Sequence, residues 1–129
     1  MRYYSILIVL LLITSSTGFS QPDITLVRTP ALNPDGTTLA FSYQGDIWTM
    51  PVNGEEPKRL TIHEAHEINP VWSPDGLSIA FTSNRWGNSD IYTTSKDGGR
   101  PFRVTYHSSN DMLPDWANNN TIYFSSSRA

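Results

Sequence analysis

Cysteine is absent from all 129 residues. That excludes disulfides, thiolate metal centres and lipid attachment through sulfur. Charge is scarce as well: 9 basic and 12 acidic side chains leave a formal charge of −3. A surface that tracks phosphates needs a basic patch, and this balance supplies none, so nucleic acid is not an expected partner. No window shows sustained helical periodicity. The longest unbroken apolar run, Ile6 to Ile13, has only eight residues. As a helix it would reach about 12 Å, against a bilayer core of roughly 30 Å.

With Arg2 before it and the small, polar TSSTG after it, that run reads as a secretory signal over residues 1–20. Gly18 and Ser20 occupy the small-residue sites for a cut after Ser20. The expectation is a periplasmic or secreted protein with no membrane association after cleavage. Residues 21–28 would then be a lead-in segment.

What the chain does contain is a repeat. TPALNPDGTTLAFS (29–42) returns as NPVWSPDGLSIAFT (69–82), an offset of 40. GDIWTMPVNGEEPKRLTIH (45–63) returns as SDIYTTSKDGGRPFRVTYH (89–107), an offset of 44. The four extra residues sit in SNRWGNSD. After Pro114 a third copy begins, DWANNNTIYFS, one residue shorter. A unit of 40–44 residues with several short strands points to propeller blades.

Inside one unit the expected strands are 70–73, 78–83, 91–95 and 101–105. Ser73-Pro74-Asp75-Gly76 is a tight turn, with Pro presetting φ and Gly closing it, and Lys96-Asp97-Gly98-Gly99 is another. A four-stranded blade buries its faces only against a neighbouring copy, which is the physical reason for the repetition. The fold class is therefore all-β: a partial β-propeller of about two and a half four-stranded antiparallel blades. Blade 1 is placed at 29–68, blade 2 at 69–112 and the first hairpin of blade 3 at 113–129. Propellers close with about 4–8 blades, so the expectation is an N-terminal fragment of a longer protein. Trp48, Trp72, Tyr92 and Trp116 are expected to fill the spaces between blades. Trp86, in a polar insert, is the exposed aromatic of the set.

The stretches FSYQGDIWTMPVNGEEPKRLT and NPVWSPDGLSIAFTSNRWGNSDIYTTSKDGGRPFRVTYHSSND resemble the N-terminal β-propeller of Tricorn-like serine proteases, over roughly residues 24–128. The same repeat is similar to the propellers of TolB, a periplasmic translocation protein, and of prolyl-oligopeptidase-type enzymes. Two details favour the Tricorn-like reading: the first blade carries FSYQGDIW, and blade 1 starts too soon after the signal for a TolB-type α/β domain. The resemblance implies a serine-type peptidase whose PDZ-like and catalytic domains lie beyond residue 129, with this part gating or channelling peptides and carrying no catalytic residue. It implies peptide or unfolded-protein substrates, the remaining blades and downstream domains as partners, and room for a homo-oligomer. The alternatives are a non-enzymatic envelope-protein binder like TolB and the propeller cap of a prolyl-oligopeptidase-like enzyme.

Pro30, Asp35, Gly36, Asp46, Pro70, Asp75, Gly76, Asp90 and Pro114 fall at repeat positions and read as architecture. The third turn departs from the pattern: Asn118-Asn119-Asn120 replaces PDG, and asparagine's tolerance of left-handed backbone is expected to keep that hairpin, with a different turn type. His63, His66, Glu67, His107 and Asp111 mark the inter-blade loops, 62–69 and 106–113, expected to face the substrate route. His63 and His66 are i, i+3 on a loop, not the i, i+4 helical spacing of a zinc peptidase. His63 recurs as His107, as Glu67 does as Asp111, so each is expected to shape its loop. Nothing calls for a metal or another cofactor. Gly87-Asn88-Ser89-Asp90 brushes against a nucleophile elbow, but Ile91 replaces the last glycine and a strand follows. Asp46 and Asp90 are expected to accept hydrogen bonds at the start of each third strand, with Arg85 as a partner. Arg59 and Arg103 are expected to point to solvent.

Overall fold

The computed structural model describes residues 26–129; the expected signal at residues 1–20 lies outside the described residues. Ten strands follow one another with no helix among the described residues. Strands β1 (Arg28–Leu32), β2 (Thr38–Tyr43), β3 (Asp46–Pro51) and β4 (Lys58–Arg59) form one antiparallel sheet in chain order. Strands β5 (Glu67–Trp72), β6 (Ser78–Ser83), β7 (Asp90–Ser95) and β8 (Gly98–Arg103) form a second, and β9 (Asp111–Asn118) pairs with β10 (Thr121–Ser126) as a hairpin. These are two four-stranded blades and half of a third.

Strand alternation decides what each blade offers its neighbours. In β6, Ile79 and Phe81 project to one side and join Tyr92 of β7; from blade 1, Ala40, Ile47 and Leu60 complete the cluster, with Trp72 packed against it. Ile79, Phe81, Ala40 and Ile47 are fully buried. Phe81 stacks on Tyr92 with ring centroids 5.9 Å apart. Each large apolar side chain buried this way contributes about 1.5–3 kcal/mol, so the blade interface is the core of the molecule.

The PDG turns close as the sequence indicates. The Gly36 amide donates to the Asn33 carbonyl at 3.0 Å and the Gly76 amide to Ser73 at 2.8 Å. Both glycines take positive φ, +77° and +71°, a conformation other residues adopt only under strain. The Asp35 carboxylate accepts from the Thr37 hydroxyl and amide; that of Asp75 accepts from the Ser73 hydroxyl and the Leu77 amide. Those bonds hold both carboxyls below their ordinary value of 3.8. A carboxyl depressed in the folded state adds stability above its unfolded pKa and withdraws it as pH falls through the folded one. Acid unfolding of an Asp35→Asn/Asp75→Asn variant is therefore expected to be flatter than that of the unaltered protein between about pH 5 and about pH 2. Superimposable melting-temperature profiles over that range would remove the turns as acid sensors.

Blade 3 keeps its hairpin with a different turn type, as expected, but not through a left-handed asparagine. No residue from 118 to 120 takes a positive φ. The hairpin turns instead through Asn119-Asn120, with the Asn120 amide donating to the Asn118 side chain at 2.9 Å and a register shift between Thr121 and Ile122. The deleted residue shortens the loop enough that a right-handed turn plus a bulge replaces the left-handed asparagine. The Asn119 side chain reaches back to accept from the Asp75 amide at 2.9 Å, tying blade 3 to blade 2.

The first strands of the blades pack against one another, β1 on β5 and β5 on β9, so they converge on the propeller axis. Each is irregular at the same place. Pairing skips between Arg28 and Ala31 and between Ile68 and Val71. The residue before each repeat proline sits at positive φ: Thr29 at 47°, Asn69 at 54° and Leu113 at 55°. Proline has no amide to give a ladder, so it is confined to an edge strand or a bulge, and here it has both.

The same strands are stitched across blades by side chains. The Trp72 indole donates to the Ala31 carbonyl at 3.0 Å and the Trp116 indole to the Val71 carbonyl at 3.1 Å. The Asn69 amide donates to the Thr29 hydroxyl at 3.2 Å. The inner strands also begin earlier than the sequence indicated. The Glu67 amide bonds the Gly45 carbonyl and the Asp111 amide the Ser89 carbonyl, both at 2.8 Å. These bonds draw residues 67–69 and 111–113 into β5 and β9, so the connections between blades shrink to 60–66 and 104–110. At the other end, β8 starts at Gly98, and the expected four-residue turn reduces to Lys96-Asp97.

Candidate functional site

The loops that join blades gather at one end of the strands, beside the turns that precede β3 and β7. Four arginine–carboxylate latches hold this end together. The first two repeat one design. Asp46 and Asp90 open β3 and β7 and are buried. Arg59 pairs with Asp46, its Nε at 3.0 Å from Oδ2. Arg103 pairs with Asp90 at 2.7 Å and also donates to the Thr105 carbonyl at 2.8 Å. The expectation that these arginines point to solvent fails for a reason of register. Arg103 lies opposite Tyr92 and so shares the face that looks into the interface with blade 1, while Arg59, opposite Trp48, lies on the equivalent face of blade 1, which looks away from blade 2. Each guanidinium then runs back along the strand to the aspartate. Thr61 and Thr105 complete the latch: their hydroxyls accept from the Ile47 and Ile91 amides at 2.9 and 3.0 Å. The Thr105 hydroxyl in turn donates to Asp90 at 3.1 Å.

The second design joins Arg85 to Glu67 and Arg128 to Asp111. Arg85, proposed from sequence as a partner for the strand-opening aspartates, instead donates through Nε to Glu67 at 2.8 Å. Glu67 and Asp111 occupy the first positions of β5 and β9 and are fully buried. Each keeps one carboxylate oxygen, Oε2 and Oδ1, buried without a hydrogen-bond partner among the described residues. Burial alone would raise the Asp111 carboxyl; contacts with Ser126, Arg128 and Thr105 outweigh it and hold the group below the usual carboxylate range. Blade 1 lacks this latch, because Val27 and Gly45 stand at the corresponding positions.

The histidines take loop-shaping positions. The Nδ1 of His63 accepts from the Ala65 amide at 3.0 Å, and that of His107 from the Ser109 amide at 3.1 Å. Both rings thereby fold the chain back two residues later, and the proton is left to Nε2. His66 is held through its own amide, which donates to the Asn84 side chain at 2.8 Å. The side chain of Asn88 spans to the His107 and Ser109 carbonyls at 2.8 and 3.1 Å. Ser89 is fixed by Asn110, whose side chain accepts from its amide at 2.9 Å. No group of three or more metal-ligating side chains gathers among the described residues.

Pro30, Pro70 and Pro114 follow the axial bulges; Asp35, Gly36, Asp75 and Gly76 build the turns at the opposite end of the strands. The structure thus separates the flagged residues into two ends and an axis. The axis presents Thr29 and Leu113 as exposed side chains on inner strands, Leu113 at 60%. Sequence reasoning overlooked the second latch. Its signal was present, since Arg85 and Arg128 follow Phe81 and Phe124 at equal spacing.

Comparison with known proteins gives a consistent family. The family model described as the Tricorn protease N-terminal beta propeller domain matches residues 24–129. A protein named as a Tricorn-like protease N-terminal subunit, from Sulfurisphaera tokodaii, is 33% identical over 69 residues, covering 52% of this chain and 35% of that one. Tricorn protease homolog 1 of Streptomyces coelicolor is 34% identical over 71 residues, covering 54% of this chain and 6% of its own. A TolB structure from Agrobacterium tumefaciens superposes with a TM-score of 0.74 at 28% identity, over 81% of this chain and 39% of that one. The aligned region is thus about a third of the Sulfurisphaera relative and a small part of the Streptomyces one.

Proposed function

The chain belongs to the family of Tricorn protease N-terminal beta propeller domains, and from that premise we propose that it forms part of the wall of a peptide route in an exported serine-type peptidase. In this reading the propeller admits and orients extended peptide while other domains of the parent protein cut it. A signal over residues 1–20 would carry the protein to the periplasm or beyond.

The observation that carries the reading is the axis. Three inner strands converge there, each broken by a bulge at the residue before proline. A bulged edge still shows unpaired backbone groups, which an extended peptide can meet as a transient strand. Leu113 and Thr29 stand on that wall. The conspicuous acids, by contrast, are engaged by arginines, and two of the three histidines are engaged as turn acceptors. That is the pattern of a scaffold.

The test uses the full-length protein. Leu113→Arg is expected to lower kcat/KM several-fold for long unstructured peptides and to leave a short chromogenic peptide unaffected, because only long substrates would thread the wall. An equal effect on both, or none on either, would defeat the reading. The likeness to TolB supports a second one, a binding propeller without peptidase chemistry. Absence of all peptide hydrolysis by the full-length protein would select it.

A further inference from the structure

Away from the axis, on the outer part of blade 2 beside the connection from blade 1, Arg85, Trp86, Tyr92, Arg100, Arg103 and Tyr106 line a cavity of about 810 Å³, within the usual size for a small-molecule site. Blade 2 supplies the lining, and His63, on the connection from blade 1, completes the rim.

Tyr92 forms its floor. The residue is only 3% exposed, yet its hydroxyl has no hydrogen-bond partner among the described residues. A buried phenol without an acceptor carries a desolvation cost. Burial pushes the Tyr92 phenol up and Asp90 assists it; the Arg103 and Arg85 guanidinium groups and the nearby Trp86 indole, a donor to the phenol oxygen and no acceptor for its proton, oppose it. The group is therefore a protonated donor waiting for an acceptor.

Donors dominate the rest of the polar lining. Arg85 uses Nε and Nη2 on Glu67, and Arg103 uses Nε and Nη2 on Thr105 and Asp90. Both Nη1 groups are left with no partner among the described residues. Arg100 has no hydrogen-bond partner among them either. His63, also at the cavity, has Nδ1 occupied, which leaves its Nε2–H as a further donor. The carboxylates nearest the arginines are already engaged in the latches. Flat apolar walls complete the site: Trp86 is 71% exposed and Tyr106 68%. The Arg103 guanidinium lies 5.9 and 4.8 Å from their ring centres.

We propose that this cavity binds an organic carboxylate carried on an aromatic body. The carboxylate would accept from Arg100 and, once the side chains that cover it part, from the Tyr92 hydroxyl, and the ring would lie along Trp86 and Tyr106. A free small acid and a peptide ending in an aromatic residue share this chemistry. The site lies on the outer strands and does not depend on the peptide-route reading.

The experiment titrates the full-length protein with phenylacetate, N-acetylphenylalanine and the neutral phenylacetamide, following tryptophan fluorescence, with Trp86→Phe as the silent control. At least one acid is expected to bind, with phenylacetamide at least about tenfold weaker, the value of one charge-assisted bond. Tighter binding of N-acetylphenylalanine assigns the site to peptide termini, and tighter binding of phenylacetate to free acids. Arg100→Ala is expected to weaken the acid about tenfold. Tyr92→Phe is expected to weaken it too, while raising the melting temperature of the unliganded protein, because it deletes an unpaired buried hydroxyl. Equal affinity for acid and amide, or no binding of any of the three, overturns the proposal. So does a lowered melting temperature in unliganded Tyr92→Phe, which would show that the hydroxyl is already bonded within the fold.

Discussion

Arg85→Met is expected to cost about 3–5 kcal/mol of stability. Glu67 lies fully buried at the head of β5, and Arg85, itself only 15% exposed, supplies its charge-assisted bonds. Removing the guanidinium strands a carboxylate that already has one oxygen without a partner. Water cannot reach it cheaply, because the Glu67 amide and carbonyl are both tied to blade 1, through Gly45 and Ser42. The double variant Arg85→Met/Glu67→Leu removes charge and counter-charge together. It is expected to recover most of the loss, since replacing a whole buried pair by packed apolar groups is commonly neutral or stabilising. Arg59→Met gives the contrast: Arg59 is 42% exposed, solvent can substitute for part of what it does, and its loss is expected to cost less than half as much. Urea unfolding of the full-length protein measures all three. A double variant no more stable than Arg85→Met alone would mean that Arg85 matters for its packing on Tyr92, 5.3 Å from the ring centre, and not for charge.

The latches also show where the sequence could be read and where it could not. The division of this chain into two and a half blades, the strand order and the PDG turns were legible because they rest on local rules: a period of two along each strand, proline and glycine at fixed turn positions, and one unit repeated. Asp46 and Asp90 were legible as repeat positions. Their partners were not, because the choice between Arg59 and solvent depends on which residue of β3 faces β4, and a two-residue strand such as Lys58–Arg59 leaves no periodicity to read. Arg85 was assigned to the wrong acid for a similar reason. Its true partner Glu67 is nearer along the sheet, across β5 and β6, than along the chain. The left-handed residues before each proline left no mark in the sequence. Thr29, Asn69 and Leu113 share no side-chain chemistry; what they share is the proline after them and a place at the axis. The hydroxyl of Tyr92 was invisible too, since the residue reads as core and only its surroundings reveal the missing acceptor.

Trp72→Ala is expected to cost about 3 kcal/mol or more, and Trp72→Phe to divide that loss into its parts. The indole does two things at the blade 1–blade 2 boundary: its rings pack against the cluster of Phe81, Ile79 and Leu60, and its N–H satisfies the Ala31 carbonyl. That carbonyl belongs to a bulged edge strand, where the ladder is interrupted and a side-chain donor is the nearest substitute for a strand. Phenylalanine keeps most of the packing and drops the bond, so it is expected to lose about 1–2 kcal/mol. Trp116 repeats the arrangement on Val71, and the same pair of substitutions there is expected to follow the same division. The first blade carries Leu32 at this position, which can pack but cannot donate. Its boundary with any preceding blade must therefore be held without this bond, and the indole rule applies only to the boundaries that Trp72 and Trp116 cross. Thermal melts and urea titrations of the four variants separate the contributions. A Trp72→Phe variant as unstable as Trp72→Ala would show that the bond to the bulge, not the ring, holds neighbouring blades in register.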